Sequence, residues 1–189
     1  MTTGFFKTLL MEATITKQFS IDEPVEKVWA ALSDPMRISG CVPGASITEK
    51  VDDANYKGEV TMKFGPIKAK YDGLITIQDM NDSEHKMQLV GKGLDSKGKG
   101  SAEMTMNGEA VANGDNTDVD FKMVVNIQGT IAQFGSRLIN DVSAQLMNQF
   151  VDNFDALLKG EEFNNDLKAG NMVGSMVKGI FKKKETSDS

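Results

Sequence analysis

The sequence contains very few of the residues that most often build metal sites and nucleophilic active sites. Among 189 residues it has a single cysteine, Cys41, and a single histidine, His85. One cysteine cannot form an intramolecular disulfide, and a histidine without suitably spaced partners gives neither a metal site nor a catalytic triad. We therefore expect no metal and no catalytic constellation. Cys41 is interpreted as a packed small residue, because a reactive thiolate needs more nearby positive charge than Arg37 alone supplies in this stretch.

Long apolar runs and an excess of positive charge are also missing. No stretch approaches the ~20 apolar residues that cross a bilayer, and the mean hydropathy is −0.29. The 21 Lys and Arg residues are outnumbered by 27 Asp and Glu, for a net charge of −6. Nucleic-acid binding is not expected, because it requires a basic surface.

The N-terminus clusters only about five apolar residues, too few for a signal peptide. Residues 1–10 are interpreted as an extension, and we expect a cytoplasmic protein.

A glycine-rich segment at 91–100 nearly matches a phosphate-binding loop. Gly93, Gly98 and Lys99 have the required spacing. However, Gly100 stands where a serine or threonine would hold magnesium, and the residues after it alternate like a strand instead of opening a helix. The segment is therefore predicted to be a glycine-rich strand or hairpin rather than a nucleotide site.

Hydrophobic periodicity predicts strands over most of residues 11–160. Residues 12–21 alternate between apolar and polar, and residues 25–32 carry an apolar face at helical spacing that Asp34-Pro35 is expected to end. From about 45 to 129 the alternation resumes, interrupted only by short turns. About seven strands are predicted in total, and the tight turns favour an antiparallel sheet.

At Gly129 the period changes to that of a helix. Thr130 and Gln133 have the spacing of a capping box, and apolar residues then recur every four positions until Gly160 supplies a C-cap. A helix of about 28 residues with one apolar stripe must lie along a hydrophobic surface, and the sheet is the only candidate. The predicted fold is α+β, with a curved antiparallel sheet that grips a long C-terminal helix.

Methionines on the predicted strand faces favour a cavity between sheet and helix. Methionine is flexible and suits irregular spaces that accept elongated apolar ligands, although an ordinary core would show the same periodicity. Small residues such as Ala69, Gly73 and Gly108 on the same faces leave room. Strand face and helix stripe select these candidate lining residues: Met62, Phe64, Tyr71, Met87, Met104, Met106, Phe121, Met123, Phe134 and Leu138.

The C-terminal segment differs from the rest of the chain. Residues 161–170 are polar and are predicted to be a linker, whereas residues 171–189 have a net charge of +2 and leave −8 on the remainder. The candidate membrane-associating residues are Met172, Val173, Met176, Val177, Lys178, Ile180, Phe181, Lys182, Lys183 and Lys184. An apolar stripe followed by lysines favours weak, reversible attachment to an anionic membrane surface over docking on the domain.

Several of these segments together resemble the CoxG family of carbon monoxide dehydrogenase subunits, within the START-like (SRPBCC) superfamily. The resemblance covers about residues 11–160 and rests on FSIDEPVEKVWAALSDPMRISGCVPGA, on YKGEVTMKFGPIKAKYDG, on the glycine-rich segment and on the final helix. It implies a helix-grip fold with a hydrophobic cavity, and association with a molybdenum-containing CO dehydrogenase at the cytoplasmic membrane. It also suggests a gate at the loop formed by Gly40, Cys41, Val42, Pro43 and Gly44.

Because START-like domains commonly carry lipophilic ligands, the resemblance suggests a quinone carrier. The domain would take a respiratory quinone such as menaquinone from the bilayer and present its head group to the dehydrogenase. The protein would then be attached peripherally to the inner face of the cell membrane, with no covalent cofactor. Two alternatives remain at this point: a ligand-free membrane adaptor that recruits the dehydrogenase, and an enzyme, which the lack of convergent catalytic residues disfavours.

Overall fold

A computed structural model describes residues 10–64 and 67–165, without the side chains of Phe64, Ile67 and Leu138. The predicted membrane-associating residues 171–189 and the first nine residues of the predicted extension therefore lie outside the described part. Leu10, the last residue of that extension, instead begins the first strand.

A curved antiparallel sheet of seven strands confirms the predicted architecture. The strands are β1 (Leu10–Ile21), β2 (Ala45–Lys50), β3 (Asn55–Phe64), β4 (Ile67–Asn81), β5 (Lys86–Asp95), β6 (Gly100–Asn113) and β7 (Asn116–Gly129). Their spatial order is β1-β7-β6-β5-β4-β3-β2, so β2 to β7 form a meander and β1 pairs with the last strand. The glycine-rich segment is confirmed as a hairpin, because β5 and β6 flank its turn.

Two short helices connect β1 to β2. Helix α1 (Val25–Leu32) buries Val28 and Trp29, as its periodicity predicts. The expectation that Asp34-Pro35 only ends this helix is incomplete. The Asp34 carboxylate accepts hydrogen bonds from the backbone N–H groups of Met36 and Arg37, and proline is favoured at the first helical position. The pair therefore also starts α2 (Pro35–Ile38), and a 3₁₀ turn at Ser39–Cys41 follows.

The long helix α3 (Gly135–Lys159) begins later than its sequence pattern predicts. The predicted capping box is wrong, because Thr130 makes no side-chain cap and the chain first forms a 3₁₀ turn at Ile131–Phe134. Gly135 then adopts a φ of 76°, which an L side chain rarely tolerates, and this redirects the chain into the helix. At the other end, Gly160 takes the left-handed conformation, so the predicted C-cap is confirmed.

The buried core divides into two clusters at opposite ends of α3. The Trp29 cluster comprises Ile21, Val25, Val28, Trp29, Ala31, Cys41, Met87, Ala110, Val119, Phe154 and Leu158. The Tyr71 cluster comprises Met11, Ala13, Ala69, Tyr71, Ile127, Ile131, Ala132 and Ile139. In the first, the rings of Phe150 and Phe154 stack with their centroids 5.8 Å apart. Both clusters pin the helix to the sheet, and the region between them is the candidate site.

Candidate ligand cavity

One face of the sheet, the inner face, lies against α3. On β1 the side chains of Met11, Ala13 and Ile15 are buried while the residues between them are exposed. Strand pairing extends this face across the sheet, since paired residues point to the same side. One row across its middle comprises Ile15, Met123, Met106, Leu89 and Ile77, and the adjacent row comprises Ala13, Val125, Met104, Gly91 and Ile75. The first row borders the Trp29 cluster through Met106 and Leu89, and the second borders the Tyr71 cluster through Ala13 and Val125.

The middle of the inner face is incompletely covered. The side chains that belong to neither cluster and remain only half-buried are Ile75, Ile77, Met104, Phe121 and Met123. In a close-packed core, apolar side chains facing a helix would be sealed from solvent. Helix α3 makes its closest backbone approach to β1, at one edge of the sheet. The helix thus leaves the central strands partly uncovered, and the uncovered surface is an apolar floor.

Glycines on neighbouring strands make room for the methionine side chains of the inner face. A Cβ atom added at Gly91 would lie 2.9 Å from Cγ of Met104, so the methionine lies flat across the glycine. A Cβ atom at Gly108 would meet Cγ of Met87 at 3.7 Å. Because methionine has three rotatable bonds, these side chains can shift without moving the backbone. The floor is therefore adaptable to the shape of an apolar guest.

The structure places most of the sequence-predicted lining residues on the inner face, but it divides them between different environments. Tyr71 and Met87 are buried inside the two clusters, at 4% and 8% exposure. The half-buried group comprises Met62, Met104, Met106, Phe121 and Met123. Phe134 is 40% exposed in the 3₁₀ turn before α3. The side chains of Phe64 and Leu138 lie outside the described residues.

The Gly40–Gly44 loop, predicted as a gate, is tied to two distant parts of the chain. Asn153 of α3 donates a hydrogen bond from Nδ2 to the carbonyl oxygen of Cys41 at 3.1 Å. The backbone N–H of Gly44 donates to the carbonyl oxygen of Asn165 at 3.1 Å. Cys41 is fully buried, and this burial raises the pKa of its thiol to about 11. A raised pKa suppresses the thiolate, which agrees with a packed rather than a reactive cysteine.

Residues 161–165, the first half of the predicted linker, pack back against the domain. Phe163 contacts the Trp29 cluster, and Asn165 donates from Nδ2 to the carbonyl oxygen of Ala45 at 3.1 Å. The chain thus turns at Gly160 and reaches the beginning of β2. Asn165, the last described residue, therefore lies beside the Gly40–Gly44 loop.

Sequence reasoning missed the polar groups of this region. Gln149 and Asn153 are 8% and 6% exposed on α3, among otherwise apolar buried residues. Their spacing of four residues places them on one side of the helix. That spacing was visible in the sequence, but amides at helical spacing are more often solvent-facing, and only the fold brings Asn165 to the same loop.

Other sequence-predicted features have structural roles. His85 lies in the β4–β5 turn with a φ of 52°, and its ring centroid is 5.5 Å from that of Trp29. The indole Nε1 of Trp29 donates to Asp82 at 2.9 Å, which joins α1 to the same turn. Over residues 10–64 and 67–165, no group of three or more His, Cys, Asp or Glu side chains could hold a metal ion.

A separate groove of about 740 Å³ crosses the outer face of the central strands. Its lining side chains include Gln88, Asn107, Glu109, Asp120 and Lys122. It is open, and these side chains carry charges or amide groups, so it suits an apolar guest less well than the inner face does.

Comparison with known proteins decides the family. The model of the CoxG family, which is described as a carbon monoxide dehydrogenase subunit family, matches residues 18–159. The chain belongs to the CoxG family. The match covers the last residues of β1, strands β2 to β7, the Gly40–Gly44 loop and α3, so most of the candidate cavity lies within the family domain. No curated protein sequence matches the chain significantly.

Solved structures show the same fold at low sequence identity. A conserved protein from Geobacillus kaustophilus has a TM-score of 0.70 at 22% identity, covering 78% of this chain and 96% of its own. A START superfamily protein from Mycobacterium smegmatis has a TM-score of 0.56 at 9% identity, covering 78% and 97%. An uncharacterised protein from Rhizobium leguminosarum has a TM-score of 0.58 at 13% identity, covering 82% and 99%. The CoxG chain therefore has a START-like fold.

Proposed function

We propose that this CoxG protein is a non-enzymatic carrier of a lipophilic ligand, a respiratory quinone such as menaquinone. It takes the ligand from the cytoplasmic membrane and presents it to a molybdenum-containing CO dehydrogenase. The observation that carries the proposal is the half-buried, methionine-rich middle of the inner face between two closed core clusters. An apolar space of this kind shields an isoprenoid chain from water.

The family supplies the link to the dehydrogenase. The matching family is named for a subunit of carbon monoxide dehydrogenase, and the match covers most of the domain. Electrons from a water-soluble dehydrogenase cannot reach a quinone that stays buried in lipid. A domain that carries the quinone between the two phases solves this problem without a catalytic group of its own.

The membrane step is assigned to the C-terminal segment. No helix in the described part of the chain is long and apolar enough to cross a bilayer. Residues 171–189 combine six apolar residues with four lysines, a composition that suits the surface of an anionic membrane. Deleting residues 170–189 should abolish co-sedimentation with liposomes that contain anionic lipid. Unchanged co-sedimentation of the truncated protein would contradict this step.

Mass spectrometry of an organic extract tests the ligand. The protein is purified gently from its native host, and the extract should contain a quinone in near-stoichiometric amount. Met104→Trp fills the middle of the inner face and should lower the yield of quinone strongly. Thr105→Trp, the neighbouring residue on the outer face, is the matched control and should not. An extract without quinone, or equal yields from both variants, would favour a ligand-free adaptor that recruits the dehydrogenase.

A further inference from the structure

Two buried polar side chains lie close together on α3. The buried polar side chains in the described residues are Thr117, Gln149 and Asn153. Thr117 has a structural role, because its hydroxyl donates to the carbonyl oxygen of Glu23 at 2.7 Å and holds the start of α1. The other two lie one turn apart on α3. An apolar cavity usually owes its specificity to a few polar groups, and these are the candidates.

The Gly40–Gly44 loop connects Asn153 to a third amide, Asn165. Asn153 binds the carbonyl oxygen of Cys41, and Asn165 binds that of Ala45, the residue directly after the loop. We name the side chains of Gln149, Asn153 and Asn165 the carboxamide wall. Residues more than 100 positions apart in sequence thus meet around one five-residue loop.

The wall adjoins the inner face. Ala45 pairs with Val60 on β3, and Val60 packs against the Tyr71 cluster. At the other end of the loop, Cys41 belongs to the Trp29 cluster. The loop therefore connects the two clusters between which the floor of the cavity is open. A ligand whose apolar part lies on that floor can place its polar end at the wall.

One acceptor atom of the carboxamide wall lacks a hydrogen bond. Oδ1 of Asn165 is buried and has no hydrogen-bond partner among the described residues. The orientation of this amide is fixed, because Nδ2 faces the Ala45 carbonyl oxygen, which can only accept. A buried acceptor without a donor is unfavourable, so an O–H or N–H group that donates to this oxygen would be stabilising.

We propose that the carboxamide wall binds the head group of the lipophilic ligand and prefers a hydroxyl-bearing head group to a carbonyl-bearing one. This deepens the proposed function and rests on it. A quinol donates two O–H hydrogens, and one of them satisfies Oδ1 of Asn165. A quinone has only carbonyl oxygens and leaves that atom unsatisfied. The carrier therefore holds the reduced form of its ligand more tightly than the oxidised form.

Binding of menaquinone-4 to the full-length protein tests this preference. Affinities for the oxidised quinone and for the dithionite-reduced quinol are measured anaerobically, by displacement of an apolar fluorescent probe that lacks a quinone head group. The wild-type protein should bind the quinol about five- to tenfold more tightly. Asn165→Leu should make the affinities for quinol and quinone equal while leaving the affinity for the probe unchanged. Asn164→Leu, an exposed neighbour in the same segment, is the matched control and should keep the preference for quinol.

The outcomes separate this inference from the function on which it rests. Equal affinities for both redox forms in the wild-type protein, or a ratio that survives Asn165→Leu, would overturn the assignment of the wall and leave the carrier function intact. Failure of the wild-type protein to bind both the probe and menaquinone-4 would overturn the carrier function itself. Loss of probe binding in Asn165→Leu would assign Asn165 to the fold, which also contradicts the proposed head-group role.

Discussion

Truncation of single methionines tests whether the middle of the inner face is an open space. Met87, Met104 and Met123 all point to the inner face, but only Met87 is inside a closed cluster, at 8% exposure. The other two are half-buried between the clusters. Replacing each by alanine makes the same chemical change in three strand positions, so differences in strand propensity largely cancel between the variants.

The expected magnitudes follow from the packing. Met87→Ala removes buried atoms and leaves a cavity, which typically destabilises a protein by about 2–5 kcal/mol. Met104→Ala and Met123→Ala remove atoms that already border an open space. These variants therefore lose only part of the transfer free energy of a buried side chain, and they create no new enclosed cavity. We expect each of these two to reduce the free energy of unfolding by less than about 1 kcal/mol.

Urea unfolding followed by circular dichroism gives the free energies, and thermal unfolding gives an independent check. A loss of 1 kcal/mol lowers Tm by roughly 2–4 °C in a domain of this size. Met87→Ala should therefore lower Tm by about 4–20 °C, and the other two by a few degrees at most. If Met104→Ala and Met123→Ala destabilised the protein as much as Met87→Ala does, the middle of the core would be solid. The proposed cavity would then be refuted.

Two further predictions concern Trp29 and Cys41. Asp82→Ala removes the acceptor 2.9 Å from the Trp29 indole nitrogen and should destabilise the protein by about 1–2 kcal/mol. Asp82→Asn keeps an acceptor oxygen and should retain most of the stability. Equal losses of stability in both variants would contradict a role for the hydrogen bond. Burial raises the pKa of the Cys41 thiol from 9.0 to about 11. The unfolded state therefore loses this proton first, and stability should fall as pH rises from about 9 to 11. Cys41→Ala should remove that part of the slope, which urea unfolding at several pH values measures.

The sheet could be predicted from sequence because its pattern is local. Each strand alternates apolar and polar residues, and the turns between them are short, so the number and direction of the strands follow from neighbouring residues. The start of α3 could not be placed this way. Thr130 and Gln133 have the spacing of a capping box, but the positive φ of Gly135 and the preceding 3₁₀ turn depend on how the chain leaves β7.

The candidate site was only partly predictable, because it depends on contacts between distant parts of the chain. Alternation assigns residues such as Met104 and Met123 to the inner face, but it cannot tell a sealed core from an open one. That distinction depends on how far α3 lies from the central strands. The carboxamide wall was beyond sequence analysis, because Asn153 and Asn165 reach the Gly40–Gly44 loop across 112 and 120 residues.

The pairing of β1 with β7 also has a consequence for synthesis on the ribosome. Strands β3 to β7 can each pair with the preceding strand as they emerge, but Leu10–Ile21 pairs with Thr117–Gln128, about a hundred residues later. At about 5–20 residues per second, the first strand waits roughly 5–20 s with its apolar side unprotected. Nascent chains that stop before β7 should therefore be the form of this protein that aggregates or recruits chaperones.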